Sequence, residues 1–189
     1  LGAFAVFQAL PAQRENPRLQ RSGWLVALSS VFNGVWIFFW HYGLYELSLA
    51  TMFALLVTLL AIYLRLDIGR ARFSAVERLT VAAPFSIYLG WITVATIANI
   101  TAVLSYLGFT GVGISPLAWT LILLAAGVLI AAAMAFTRRD AAYLLVLVWA
   151  FAGISVRWQA DAVLGLAGFI AAGLVLVVLV AGRLRRPAA

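Results

Sequence analysis

Six apolar runs, at about 23–41, 47–64, 78–107, 116–137, 141–157 and 162–182, divide this chain, and short connections join them. Most are long enough to cross a hydrocarbon core of about 30 Å as a helix, which takes roughly 20 residues. In lipid every backbone N–H and C=O must be satisfied within the segment, so a run of this kind is a helix or a strand of a closed barrel. The period-two alternation of a barrel strand is absent from them. The sequence therefore predicts an all-α fold, a polytopic transmembrane helix bundle of six full spans.

The opening "LGAFAVFQAL" adds the end of a further, N-terminal span, because ten residues reach only about 15 Å as a helix. It has neither the basic n-region nor the small-residue cleavage site of a signal peptide. Composition agrees with a membrane solvent: 66% of the 189 residues are hydrophobic and 10% charged, with a mean hydropathy of +1.09. A soluble domain runs near half apolar and a quarter charged.

The net charge of +7 comes from thirteen arginines and no lysine. Their placement argues for topology and against nucleic-acid binding. Arg14, Arg18 and Arg21, then Arg65, Arg70, Arg72 and Arg78, then Arg138 and Arg139, and finally Arg183, Arg185 and Arg186 all fall on one side. Arg157 alone falls on the other, with Glu46, Asp161 and an uncharged loop around Gly111. Basic connections stay in the cytoplasm, so the first, third and fifth connections and the C-terminus are assigned there. Pro116 is placed to open a helix after the glycine-rich "GFTGVGIS".

Catalytic groups are scarce. No cysteine and no lysine occur, and the acidic residues lie near the expected water interfaces. A proton relay or a Ser-His-Asp arrangement would need ionisable groups at membrane depth. The single histidine, His41, lies between Trp40 and Tyr42 at a span end, which suits an aromatic belt and, as the sharper alternative, a metal or a chlorophyll magnesium. Gly165 and Gly168, with Ala172 beyond, favour close helix packing in the last span.

Two stripes remain to be explained. Wound at about 100° per residue, "APFSIYLGWITVATIANIT" and its continuation gather Pro84, Tyr88, Trp91, Ala95, Asn99, Ala102 and Tyr106 on one arc. Ile92, Ile97, Ile100, Val103 and Leu104 fall largely on the lipid-like remainder, while Thr93 and Thr96 sit off the stripe and bond their own backbone. The span 23–41 repeats the device with Ser29, Asn33, Trp36 and Trp40. An asparagine at membrane depth must find partners, so both stripes should face the bundle interior. From the residues alone, helix packing and a pocket for a flat, mostly apolar ligand both stand.

At these stripes the chain resembles the tryptophan-rich sensory protein family, TspO/MBR, relatives of the mitochondrial translocator protein. Tyr88, Trp91, Ala95, Thr96 and Asn99 fit the fifth family span, and Asn33, Trp36, Phe38 and Phe39 fit the third. The resemblance covers residues 1–107, a partial TspO-like core. Residues 108–189, three additional spans and a basic tail, look like the longer bacterial branch. It implies a multi-pass protein of the bacterial cytoplasmic (inner) membrane with a hydrophobic small-molecule ligand held by Asn33, Trp36, Trp40, Tyr88, Trp91, Ala95, Thr96 and Asn99. A porphyrin, a bacteriochlorophyll or a carotenoid are the candidates. Sterol binding has little support, because Ile100 and Leu104 stand where the family's motif needs a tyrosine and an arginine. The implied role is sensory, regulatory or transport. A second reading is an accessory structural subunit of a larger, possibly photosynthetic, membrane complex, with other membrane subunits or a homodimer as partners.

Overall fold

The structure, a computed structural model, describes residues 1–184. Arg185 and Arg186 of the expected basic tail lie outside the described residues. Those described form an all-α protein without strands: α1 (Gly2–Ala9), α2 (Pro17–His41), α3 (Tyr45–Arg65), α4 (Ala75–Tyr106), α5 (Pro116–Thr137), α6 (Ala141–Arg157) and α7 (Ala162–Leu184). Five of them, α2 to α5 and α7, are long and apolar enough to cross a membrane. The remaining expected span, 141–157, is α6; it has 17 residues, about 26 Å of helix, and falls just short of that length. The chain is a multi-pass membrane protein in a lipid bilayer.

The helix starts follow from local chemistry. The first turn of a helix leaves four N–H groups without partners, and a short polar side chain just before it can take one or two. Asn16 accepts from Arg18 N at 3.1 Å, Ser115 from Ala118 N at 3.2 Å, and Asp140 from the N–H groups of Ala142 and Tyr143. Pro17 and Pro116 fill the following positions, where a missing N–H costs nothing. Ser74 and Glu77 form a reciprocal capping box at the start of α4.

Two compact units result, one of residues Leu1–Leu107 and the second beginning at Gly108. In the first, α3 is the central helix, with α2 packed on one side and α4 on the other. Its buried residues, Ser48, Thr51, Met52, Leu55, Thr58, Leu59, Ile62 and Tyr63, recur at the three- and four-residue spacing of a helix packed along its length. The arginine-bearing connections meet at one end of this unit. There the Arg18 guanidinium donates to Arg72 O at 3.2 Å and that of Arg65 to Arg21 O at 3.1 Å.

In the second unit α7 packs on both α5 and α6 through glycines. A Cβ on Gly168 would lie 2.9 Å from Phe151 O, and one on Gly182 would lie 2.6 Å from Ala135 O. Gly165 also faces backbone of the α6 end, at 3.3 Å from Trp158 O. Gly165 and Gly168, read in the sequence, and Gly182, which was not, thus set how closely the backbones approach.

Candidate functional site

Helix α4 begins irregularly. After its capped first turn the chain takes a π turn at Arg78–Ala82 before the regular run Ala83–Tyr106. Pro84 supplies the reason: its ring nitrogen cannot donate to the carbonyl four residues back, and its ring crowds that carbonyl. A widened turn relieves both. Beside it opens a groove of about 530 Å³, lined by Leu79, Pro84, Ile87, Tyr88 and Trp91 together with Leu1 and Ala83. Tyr88 is half-buried in this wall and Trp91 is 46% exposed.

The α4 stripe does not point straight at the neighbouring helix. The buried face runs along Phe85, Leu89, Ile92, Thr96, Asn99 and Val103, turned roughly 80° from the aromatic and polar arc, with Ser86 and Gly90 buried further round. Ile92 and Val103, expected on the lipid-like side, are therefore in the core. Burial follows the contact with α3, which selects the aliphatic flank and leaves the aromatic flank to border the groove. Asn99 belongs to both arcs and is 3% exposed. Thr93 and Thr96 do bond their own helix, to Leu89 O at 2.8 Å and Ile92 O at 2.7 Å.

Asn99 faces Ser48 of α3. The Ser48 hydroxyl donates to Tyr45 O at 2.8 Å, which occupies its one hydrogen, and Asn99 Oδ1 lies at 3.5 Å, the outer limit of a hydrogen bond. Among the described residues Asn99 Nδ2 is buried with no hydrogen-bond partner, and so is Trp36 Nε1 on α2. Exchanging the two ends of the Asn99 amide would bring Nδ2 to the Ser48 oxygen and leave the carbonyl oxygen bare. Either orientation leaves one buried amide atom unmatched.

On α2 the stripe continues the line that packs on α3. Leu25 and Ser29 are buried, Asn33 and Trp36 half-buried and Trp40 exposed. Trp36 and Trp40 approach to 6.2 Å between ring centroids. Trp40 then meets Tyr45 at 5.3 Å, and Tyr45 meets Tyr106 at 4.8 Å. An aromatic ladder thereby joins α2, α3 and α4 at the end away from the arginines. His41, at the C-terminus of α2, stands edge-on to Tyr42 at 5.1 Å, inside this belt.

The structure thus brings Tyr88 and Trp91 to one groove, sets Ala95 on the same arc of α4, and joins Trp36 to Trp40. It sets Thr96 and Asn99 against α3. The helices of Asn33 and Asn99 each pack on α3, which stands between the two stripes. Tyr45 and Ser48 were missed in the sequence. The signal that could have found Ser48 is the series Ser48, Thr51 and Thr58, small polar residues repeating on one face of an otherwise aliphatic helix. A second recess, of about 570 Å³ and more polar, lies at the arginine-rich end beside Gln13, Asn16, Ser74 and Glu77 and holds none of the expected residues. Among the described residues no three of His, Cys, Asp and Glu gather as a metal site.

A profile of the TSPO-like proteins matches residues 1–181. The chain belongs to the TSPO-like family. That match runs through α5, α6 and most of α7, beyond the 1–107 segment in which the motifs lie. No curated protein and no solved structure matches the chain.

Proposed function

We propose that this TSPO-like protein binds a flat, largely hydrophobic molecule of tetrapyrrole type in its first unit, with Tyr88 and Trp91 as the stacking wall. The observation that carries the reading is the unmatched polar edge of Asn99 at membrane depth. A buried amide atom without a partner costs about 1–3 kcal/mol, a penalty that a ligand's polar rim would remove. Trp36 Nε1, equally buried and without a hydrogen-bond partner among the described residues, lies on α2, across α3 from this groove. The groove's volume of about 530 Å³ lies within the usual range of ligand sites.

Flat aromatic side chains give stacking area at little entropic cost, and Ala95 leaves the α4 arc open between Trp91 and Asn99. Thr96, one turn before Asn99, spends its own hydroxyl on the helix, donating to Ile92 O. Asn33 and Trp40 stand on α2, across α3 from this groove, and would belong to the α2 stripe rather than to its wall. With few ionisable groups at this depth, the roles open to the site are holding, sensing or passing on the ligand. The arginine asymmetry supports an orientation with the C-terminus in the cytoplasm of a bacterial inner membrane.

Titration of the purified protein with protoporphyrin IX tests the reading, with tryptophan fluorescence as the readout. Saturable quenching is expected, weakened in a Trp91→Ala, Asn99→Ala double variant. If the double variant binds as the parent does, the site is elsewhere.

A further inference from the structure

The connection between α4 and α5 is built from residues that water disfavours. Between Arg78 and Arg138 the sequence holds no Asp, Glu, Lys, Arg or His, so the whole passage out through α4, across the connection and back through α5 is free of charge. Within the connection Phe109, Val112 and Ile114 are exposed, Val112 by 80%.

The loop is also shaped. The Trp119 indole N–H donates to Gly111 O at 3.0 Å, and Ile114 N donates to the same carbonyl at 3.0 Å. The Phe109 ring packs edge-on to Trp119 at 5.9 Å. Gly111 and Gly113 take positive φ, and Val112 between them does too, at φ 51° and ψ 45°. A β-branched residue rarely adopts that conformation. Here it turns an isopropyl group outward where a polar residue would be cheaper in water.

We propose that residues 108–115 form a lipid-inserted wedge, with Phe109, Val112 and Ile114 seated at the boundary between headgroups and acyl chains on the face opposite the arginine-rich connections. Lipid is the occupant that the surroundings favour. Both ends of the loop continue directly into lipid-facing apolar helices, and no charge has to be desolvated. An irregular backbone is excluded from the hydrocarbon core itself, so the loop rests at the boundary, where water and headgroups satisfy its peptide groups while its side chains point inward. Trp119, one turn into α5, has its N–H committed to the loop and fixes the wedge to the helix. The next connection on the same face, at 158–161, differs: it contains Gln159 and Asp161 and follows Arg157.

The chain has no cysteine, so single-cysteine variants can carry a spin label without background. Val112→Cys, Ile114→Cys and, as a water-exposed reference, Gln159→Cys would be reconstituted in phosphatidylethanolamine–phosphatidylglycerol vesicles. Collision rates with oxygen, which partitions into lipid, and with a water-soluble nickel chelate are then compared. The expected result is an oxygen-to-nickel ratio several-fold higher at positions 112 and 114 than at 159, unchanged on dilution with lipid. Ratios at 112 and 114 equal to that at 159 would place the loop in water and overturn the proposal. A high ratio that falls on lipid dilution would make a second copy of the chain the occupant and overturn it equally.

Discussion

Replacing Asn99 with leucine, whose side chain has the same branched four-heavy-atom skeleton with bulkier methyl ends, should move stability and ligand affinity in opposite directions. Asn99 is 3% exposed, its Nδ2 has no hydrogen-bond partner among the described residues, and its Oδ1 has only a 3.5 Å contact to a Ser48 hydroxyl already committed to Tyr45. The unsatisfied atom costs about 1–3 kcal/mol, and a contact that long returns only a few tenths. Asn99→Leu should therefore stabilise the free protein by about 1–2 kcal/mol, a rise in Tm of about 2–4 °C per kcal/mol for a chain of this size. With ligand bound the same change removes the amide from the ligand's polar rim. Losing that bond weakens binding by about tenfold, equivalent to 1.4 kcal/mol. Circular dichroism melts in detergent, with and without protoporphyrin IX, read both effects from one preparation: the free variant melts higher than the parent and gains less from the porphyrin. Ser48→Ala serves as the companion and should leave the free melt nearly unchanged. A fall of several degrees in the free Asn99→Leu melt would show that the amide is satisfied inside the bundle, and the argument for a ligand at that edge would collapse.

Other consequences can be checked separately. Gly168→Ala puts a methyl group 2.9 Å from Phe151 O and should cost about 1–3 kcal/mol, whereas Gly173→Ala on the same helix meets nothing within 4 Å and should gain about 0.5–1 kcal/mol; the difference in unfolding midpoint decides. Trp91→Ala, at a position 46% exposed, should leave the melt of the free protein within about 1 kcal/mol of the parent while weakening porphyrin binding three- to tenfold, roughly the 0.5–1.5 kcal/mol of an aromatic stacking contact. Ser74→Ala removes the capping box at the start of α4 and should lower stability by about 1 kcal/mol, visible as faster amide exchange in the first turn.

How much of this could be read from residue order depends on which force fixes each feature. Spans were legible because the bilayer demands length and apolarity, both local properties; 116–137 and 141–157 match the observed helices at both ends. Helix starts at Pro17 and Ala75 lie three to six residues ahead of the apolar runs, because Asn16 and Ser74 cap polar turns that hydropathy does not register. The α4 stripe was legible as a periodicity, but its direction was not. Periodicity says which residues share a face, while the packing partner decides which face is buried, and α3 took the flank of Ile92 and Val103. Equally invisible was that α3 would be central, since its sequence is the plainest of the four helices in its unit; only the repeat of Ser48, Thr51 and Thr58 hints at helices on both sides. The aromatic flank of α4 is consequently free for Tyr88 and Trp91 to border a groove. Asn99, at the overlap of the two arcs, is the one polar side chain that belongs both to the core and to that flank.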